Sequence, residues 1–129
     1  MIESQQALIS DFITQAFGLP IAHENQHYDP TAGTPWVRLI VAPGQTDPGT
    51  VDALNLEQQG FMQFTLNYPE GEGAMTAKLK AQAIFDAYPL SRRVSYSGKS
   101  VTVIATHQFS TSPQGGWFQV VGRIFYESN

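Results

Sequence analysis

GFMQFTLNYPEGEGAMTAKLKAQAIFDAYP, residues 60–89, holds a strand, a turn and a helix in one run. Met62, Phe64, Leu66 and Tyr68 alternate with Gln63, Thr65 and Asn67. A period of two puts the apolar set on one face of a strand and the polar set on the other. Pro69 to Gly73 is turn composition. From Ala74 to Tyr88 the period changes: Ala77, Ala81, Ile84, Phe85 and Tyr88 fall on one stripe of a helix, and Pro89 stops it. A strand with one wetter face, followed at once by an amphipathic helix, predicts a sheet that carries its helices on one side.

Upstream, residues 2–17 read as a second helix. Ile2, Ile9, Ile13 and Ala16, widened by Leu8, Phe12 and Phe17, form its stripe. Gln5, Ser10, Asp11 and Gln15 lie opposite, and Gly18 and Pro20 end it. Residues 20–35 read as an irregular connection with a short extended piece at 21–24. Trp36 to Ala42 reads as a strand bounded by Pro35 and Pro43. Downstream, 93–96, 99–109 and 117–126 read as strands. The expectation is an α+β domain over residues 1–129. Its sheet is antiparallel-rich, of about five strands, with two helices packed on one face.

Composition narrows the function. The chain has 129 residues, 42% hydrophobic and 14% charged, with a formal net charge of −4. That length suits one domain burying roughly two-thirds of its unfolded surface. The low charged fraction suits subunit interfaces. The pI is about 5.1, and the seven basic residues are scattered, so tight DNA binding is not expected. With no cysteine, disulfides and thiolate metal sites are excluded. Neither a signal peptide nor a membrane-length apolar run is visible, which predicts a soluble chain made in the cytoplasm.

His23-Glu24-Asn25-Gln26-His27 matches the H-E-x-x-H zinc signature. That chemistry needs both histidines on one face of a helix, with the glutamate polarising a bound water. Here the segment lies between Pro20 and Pro30 and carries no apolar stripe to hold a helix, and the one other histidine is His107. A polar surface segment is the expected reading, with no metal and no cofactor. Gly71-Glu72-Gly73 lacks the third glycine of a dinucleotide loop, and Glu70 and Glu72 would repel phosphate. No serine sits in a G-x-S-x-G elbow. No catalytic residue is assigned.

Two features suggest contacts with other molecules. In the last strand, Trp117, Val121 and Phe125 share one face, and Phe118, Val120, Ile124 and Tyr126 the other, interrupted by Gln119 and Arg123. Either a neighbouring subunit covers the second apolar face, with Trp117, Val121, Arg123 and Phe125 at the interface, or the sheet curls and buries both faces itself. The long polar stretch 43–59 carries Asp47, Asp52 and Glu57 and no Lys or Arg. It is either a docking or lumen element or a plain surface loop.

Taken in order, several short motifs resemble one family. Pro20-x-Ala22-x-Glu24-Asn25 follows the first helix, and Pro35-Trp36-Val37-Arg38 opens a strand. Gly60-Phe61-Met62-Gln63-Phe64 opens the next, and Tyr68-Pro69-x-Gly71-x-Gly73 leads into the Ala-rich helix. Gly116-Trp117 begins an aromatic strand ending at Tyr126. Over roughly residues 5–126 the chain resembles the tail terminator family of long-tailed bacteriophages, the lambda-like minor tail protein U type. The resemblance implies a non-enzymatic virion protein that forms a ring, six-membered in the family. That ring caps the head-proximal end of the tail tube, stops polymerisation and meets the head–tail connector. DNA passes through the lumen without specific binding. It also implies that His23 and His27 are incidental. Alternatives are another neck or tail-completion protein (connector or stopper), a small-molecule binding domain, or a small zinc-dependent hydrolase.

Overall fold

The computed structural model describes residues 2–15, 18–24, 26–30, 33–43, 58–71, 74–96, 99–110 and 116–128. Among these described residues two helices, α1 (Ile2–Gln15) and α2 (Met75–Ala87), accompany six strands. These are β1 (Ile21–His23), β2 (Trp36–Pro43), β3 (Gln58–Pro69), β4 (Arg93–Tyr96), β5 (Lys99–Ser110) and β6 (Trp117–Ser128). They form one sheet in the order β1-β2-β3-β6-β5-β4, which curls into a half-barrel. The expected α+β architecture is what forms. The sixth strand is β1, the short extended piece, which pairs parallel to β2 while every other pairing is antiparallel.

The centre of the sheet is the β3–β6 ladder, running from Gln58↔Ser128 to Pro69↔Trp117. Met62, Phe64 and Leu66 are fully buried on its helix side, with Val120, Ile124 and Tyr126 across the ladder. α2 lies over β3 and β6, and α1 over β2, β4 and β5. From α2, the stripe residues Ala77, Ala81, Ile84 and Tyr88 are buried, with Phe85 packed beside them. Fully burying a side chain of leucine size is worth about 1.5–3 kcal/mol, so this face carries most of the hydrophobic stabilisation.

The stripe of α1 is rotated from the expected one. Ala7, Leu8 and Phe12 are buried, Ile9 is partly buried, and Ile13 is 48% exposed. Phe12 faces Phe64 at 6.4 Å, so the side of α1 that carries Phe12 is the one turned to the core. Ala16 and Phe17 lie outside the described residues. Asp11, placed on the polar side by spacing, is instead half-buried against Arg92. Both guanidinium ends bind its carboxylate, at 2.8 and 2.9 Å, and Arg92 Nη1 also donates to the Ala87 carbonyl at 2.8 Å. One side chain thereby ties α1 to the carboxyl end of α2, where unpaired carbonyls favour a cation.

Two local devices shape the curl. Phe64 stands directly opposite Gly122 in the ladder, and its ring occupies the space a Cβ there would need. Between Val103 and Ala105 a bulge shifts the β5 register. Before it, Val101 and Val103 are buried in the core; after it, Ala105, His107 and Phe109 pair with Phe125, Arg123 and Val121 on the helix-free face. Bulges bend a strand and re-aim its side chains in this way.

Candidate interaction face

The helix-free face of the sheet is polar, aromatic and concave. Strand parity puts Trp36 and Arg38 of β2, Gln63, Thr65 and Asn67 of β3, and Gln119, Val121 and Arg123 of β6 on it. With Phe109 of β5 they line a groove of about 380 Å³. Amide groups tie its floor together. Gln119 Nε2 donates to Asn67 Oδ1 at 2.9 Å, and Asn67 Nδ2 donates to the Thr65 carbonyl at 3.1 Å. Asn67 is only 1% exposed on a face that carries no helix. A buried amide is tolerated because its oxygen and nitrogen are both bonded.

Two cations stand in the groove, each held by aromatic rings. Arg123 Nε donates to Gln63 Oε1 at 2.8 Å, and its guanidinium carbon lies 4.9 Å from the Phe61 ring centre and 5.5 Å from that of Phe109. Arg38 stacks over Trp36 at 5.4 Å. Trp36 sits between Tyr28, at 4.9 Å, and the edge of Trp117, at 6.1 Å. Its buried Nε1–H has no hydrogen-bond partner among the described residues. Leaving such a donor unpaired costs about 1–3 kcal/mol. None of the described residues lining the groove carries a carboxylate. Guanidinium groups fixed on rings suit a bidentate grip on anionic oxygens.

All four residues expected at a subunit interface lie on this face. Val121 is buried, and Trp117, Arg123 and Phe125 are half-buried, with Phe125 packed on Phe61 at 5.8 Å. The curl therefore buries part of the second face unaided. Trp36, Arg38, Gln63 and Asn67 belong to the same cluster and were not singled out from the sequence. Their parity on β2 and β3 was the available signal, but which strands adjoin β6 was not. Asp47, Asp52 and Glu57 lie outside the described residues.

The H-E-x-x-H segment does not form a helix. His23 ends β1, opposite Leu39, while Glu24 and His27 are exposed in the following turn and bend. His27 Nε2 meets Asp29 Oδ1 at 2.8 Å, and both side chains are more than four-fifths exposed. Among the described residues no group of three or more His, Asp or Glu is placed to hold a metal ion. The facing of two histidines that zinc hydrolysis requires is not built here. Of the glycine-rich turn, Gly71 is exposed with a positive φ, and Glu72 and Gly73 lie outside the described residues. No helix among the described residues is long and apolar enough to cross a membrane.

Fold and face together define a small α+β domain with a polar and aromatic groove on the helix-free side of its sheet. The family comparison is specific: a model described as phage tail terminator protein matches residues 5–126. The chain belongs to the phage tail terminator family, whose members are structural components of the phage tail. One solved structure, which carries no functional name, is similar at 20% identity with a TM-score of 0.75. The match covers 98% of this chain and 96% of that one, and it supports the fold alone. No curated protein sequence matches significantly.

Proposed function

We propose that the protein is a non-enzymatic ring subunit that caps the head-proximal end of the tail tube, stops tube polymerisation and joins the tail to the head connector. Family membership over residues 5–126 carries this reading. The helix-free face supports it, because a polar and aromatic surface with fixed arginines suits a protein contact. In this reading Trp117, Val121, Arg123 and Phe125 lie at the contact between neighbouring subunits. A heterologous contact repeated by rotation closes a ring, here of six. The ring assembles in the host cytoplasm, and DNA passes through its lumen without specific binding.

The test is the solution mass by light scattering over a concentration series, alone and with purified tail tubes. A closed ring of about six subunits, or saturable capping of tube ends that stops elongation, is expected. A chain that stays monomeric and leaves tube growth unchanged refutes the reading.

A further inference from the structure

We propose that the helix-free face is the docking site for the acidic 44–57 segment of a second copy of this chain. The proposal rests on the ring reading above and names the contact that would close the ring. Among the described residues lining the groove, Arg38 and Arg123 are the ionised side chains, and none carries a carboxylate. Both are held before anything binds: Arg123 by Gln63, Phe61 and Phe109, and Arg38 by Trp36. The terminal nitrogens of Arg123 donate to no described residue. Fixed donors reduce the ordering cost of an incoming anion.

The segment is the charge complement. GQTDPGTVDALNLE, residues 44–57, carries Asp47, Asp52 and Glu57 and no Lys or Arg. Across β3, Arg38 stands opposite Thr65 and Arg123 opposite Gln63. Two strand spacings across and two residues along place their Cα atoms roughly 12 Å apart. Acidic residues in the segment are five apart, a span of at most roughly 17 Å, so one pair of carboxylates reaches both arginines. Val51, Leu54 and Leu56 lie among those acids, and Val121 and Phe109 line the groove on the Arg123 side. Face and segment are unlike surfaces of one chain, which is what a head-to-tail contact joins.

The experiment reverses charge on each side. One variant carries Arg38→Glu and Arg123→Glu; the other carries Asp47→Lys, Asp52→Lys and Glu57→Lys. Far-UV circular dichroism checks folding, and Arg38→Glu alone replaces the first variant if the pair misfolds. Assembly is read by light scattering, with tail tubes present if the wild type needs them. Each variant alone is expected to need about tenfold or more protein for half-assembly. An equimolar mixture is expected to restore the ring. In alternating order every contact then joins matching charges, and an even-membered ring closes. Rings that persist in the segment variant overturn this contact and leave the ring reading standing. A mixture that fails to restore assembly places the contact within one chain and overturns the proposal. A wild type that assembles neither alone nor on tubes overturns both readings.

Discussion

Gly122→Ala tests whether the curled core is as tight as the register implies. A Cβ built on Gly122 falls 2.6 Å from Phe64 Cε1, closer than real Cβ contacts come, and its nearest neighbour is Cζ of the same ring. The ring cannot step aside: Phe64 is fully buried, with Phe85 at 5.3 Å and Phe12 at 6.4 Å. Overpacking a filled core costs about 1–3 kcal/mol, and a clash on a pinned aromatic ring belongs at the upper end, about 3 kcal/mol. For a domain of this size that lowers Tm by roughly 10 °C. The assay is urea unfolding followed by tryptophan fluorescence, at one fixed protomer concentration because assembly would add stability. Phe64→Leu alone costs about 1–2 kcal/mol through the volume it removes. In the double variant the added methyl meets a smaller neighbour, so the two costs should fall short of additive by about 1 kcal/mol or more. A Gly122→Ala cost below about 0.5 kcal/mol, or strict additivity in the double variant, would refute the claim that the Phe64 ring fills the space over Gly122.

Arg92→Ala strands the Asp11 carboxylate, 16% exposed, and uncaps the Ala87 carbonyl. The expected loss is about 2–3 kcal/mol by urea unfolding, less than a fully buried pair would show. The phenol of Tyr88 is raised far above its usual pKa of 10.0, first by burial and then by the Asp11 carboxylate; burial also raises Tyr68 and Tyr126. A raised pKa means the fold keeps the proton while the unfolded chain releases it. This stability is fully present below pH 10 and falls above it, for Tyr88 by about 1.4 kcal/mol per pH unit. Tm measured from pH 8 to 11 should drop steeply above 10, and Tyr88→Phe should flatten the drop; a parallel curve would count against it. Equilibrium dialysis against zinc should show less than one retained ion per chain, unchanged by His23→Ala. A stoichiometric ion lost in that variant would revive the hydrolase reading.

Much of the fold follows from periodicity. The alternation from Met62 to Tyr68 predicts one buried face, and Met62, Phe64 and Leu66 fill the core. The α2 stripe was equally legible, because an isolated helical pattern needs no knowledge of its neighbours. The α1 stripe was legible as apolar but not in its centre: seven stripe residues allow several rotations, and packing, with Phe12 against Phe64, buries Leu8 and Phe12 and leaves Ile13 exposed. The face of candidate contacts was half legible. Two apolar sides of β6 pointed to Trp117, Val121, Arg123 and Phe125, while Trp36, Arg38, Gln63 and Asn67 join them through β3, fifty and more residues away in sequence.

The sequence by itself determined element types, the helix side of the sheet and the absence of cysteine chemistry, because those depend on residue type and local spacing. It also determined the family, because motif order survives without coordinates. Only the tertiary structure decided that His23 of the H-E-x-x-H segment ends a strand, that β6 lies between β3 and β5, and that Arg38 and Arg123 share one groove. Those facts are set by strand order and curl, which depend on pairings between distant segments, and local periodicity carries no term for them.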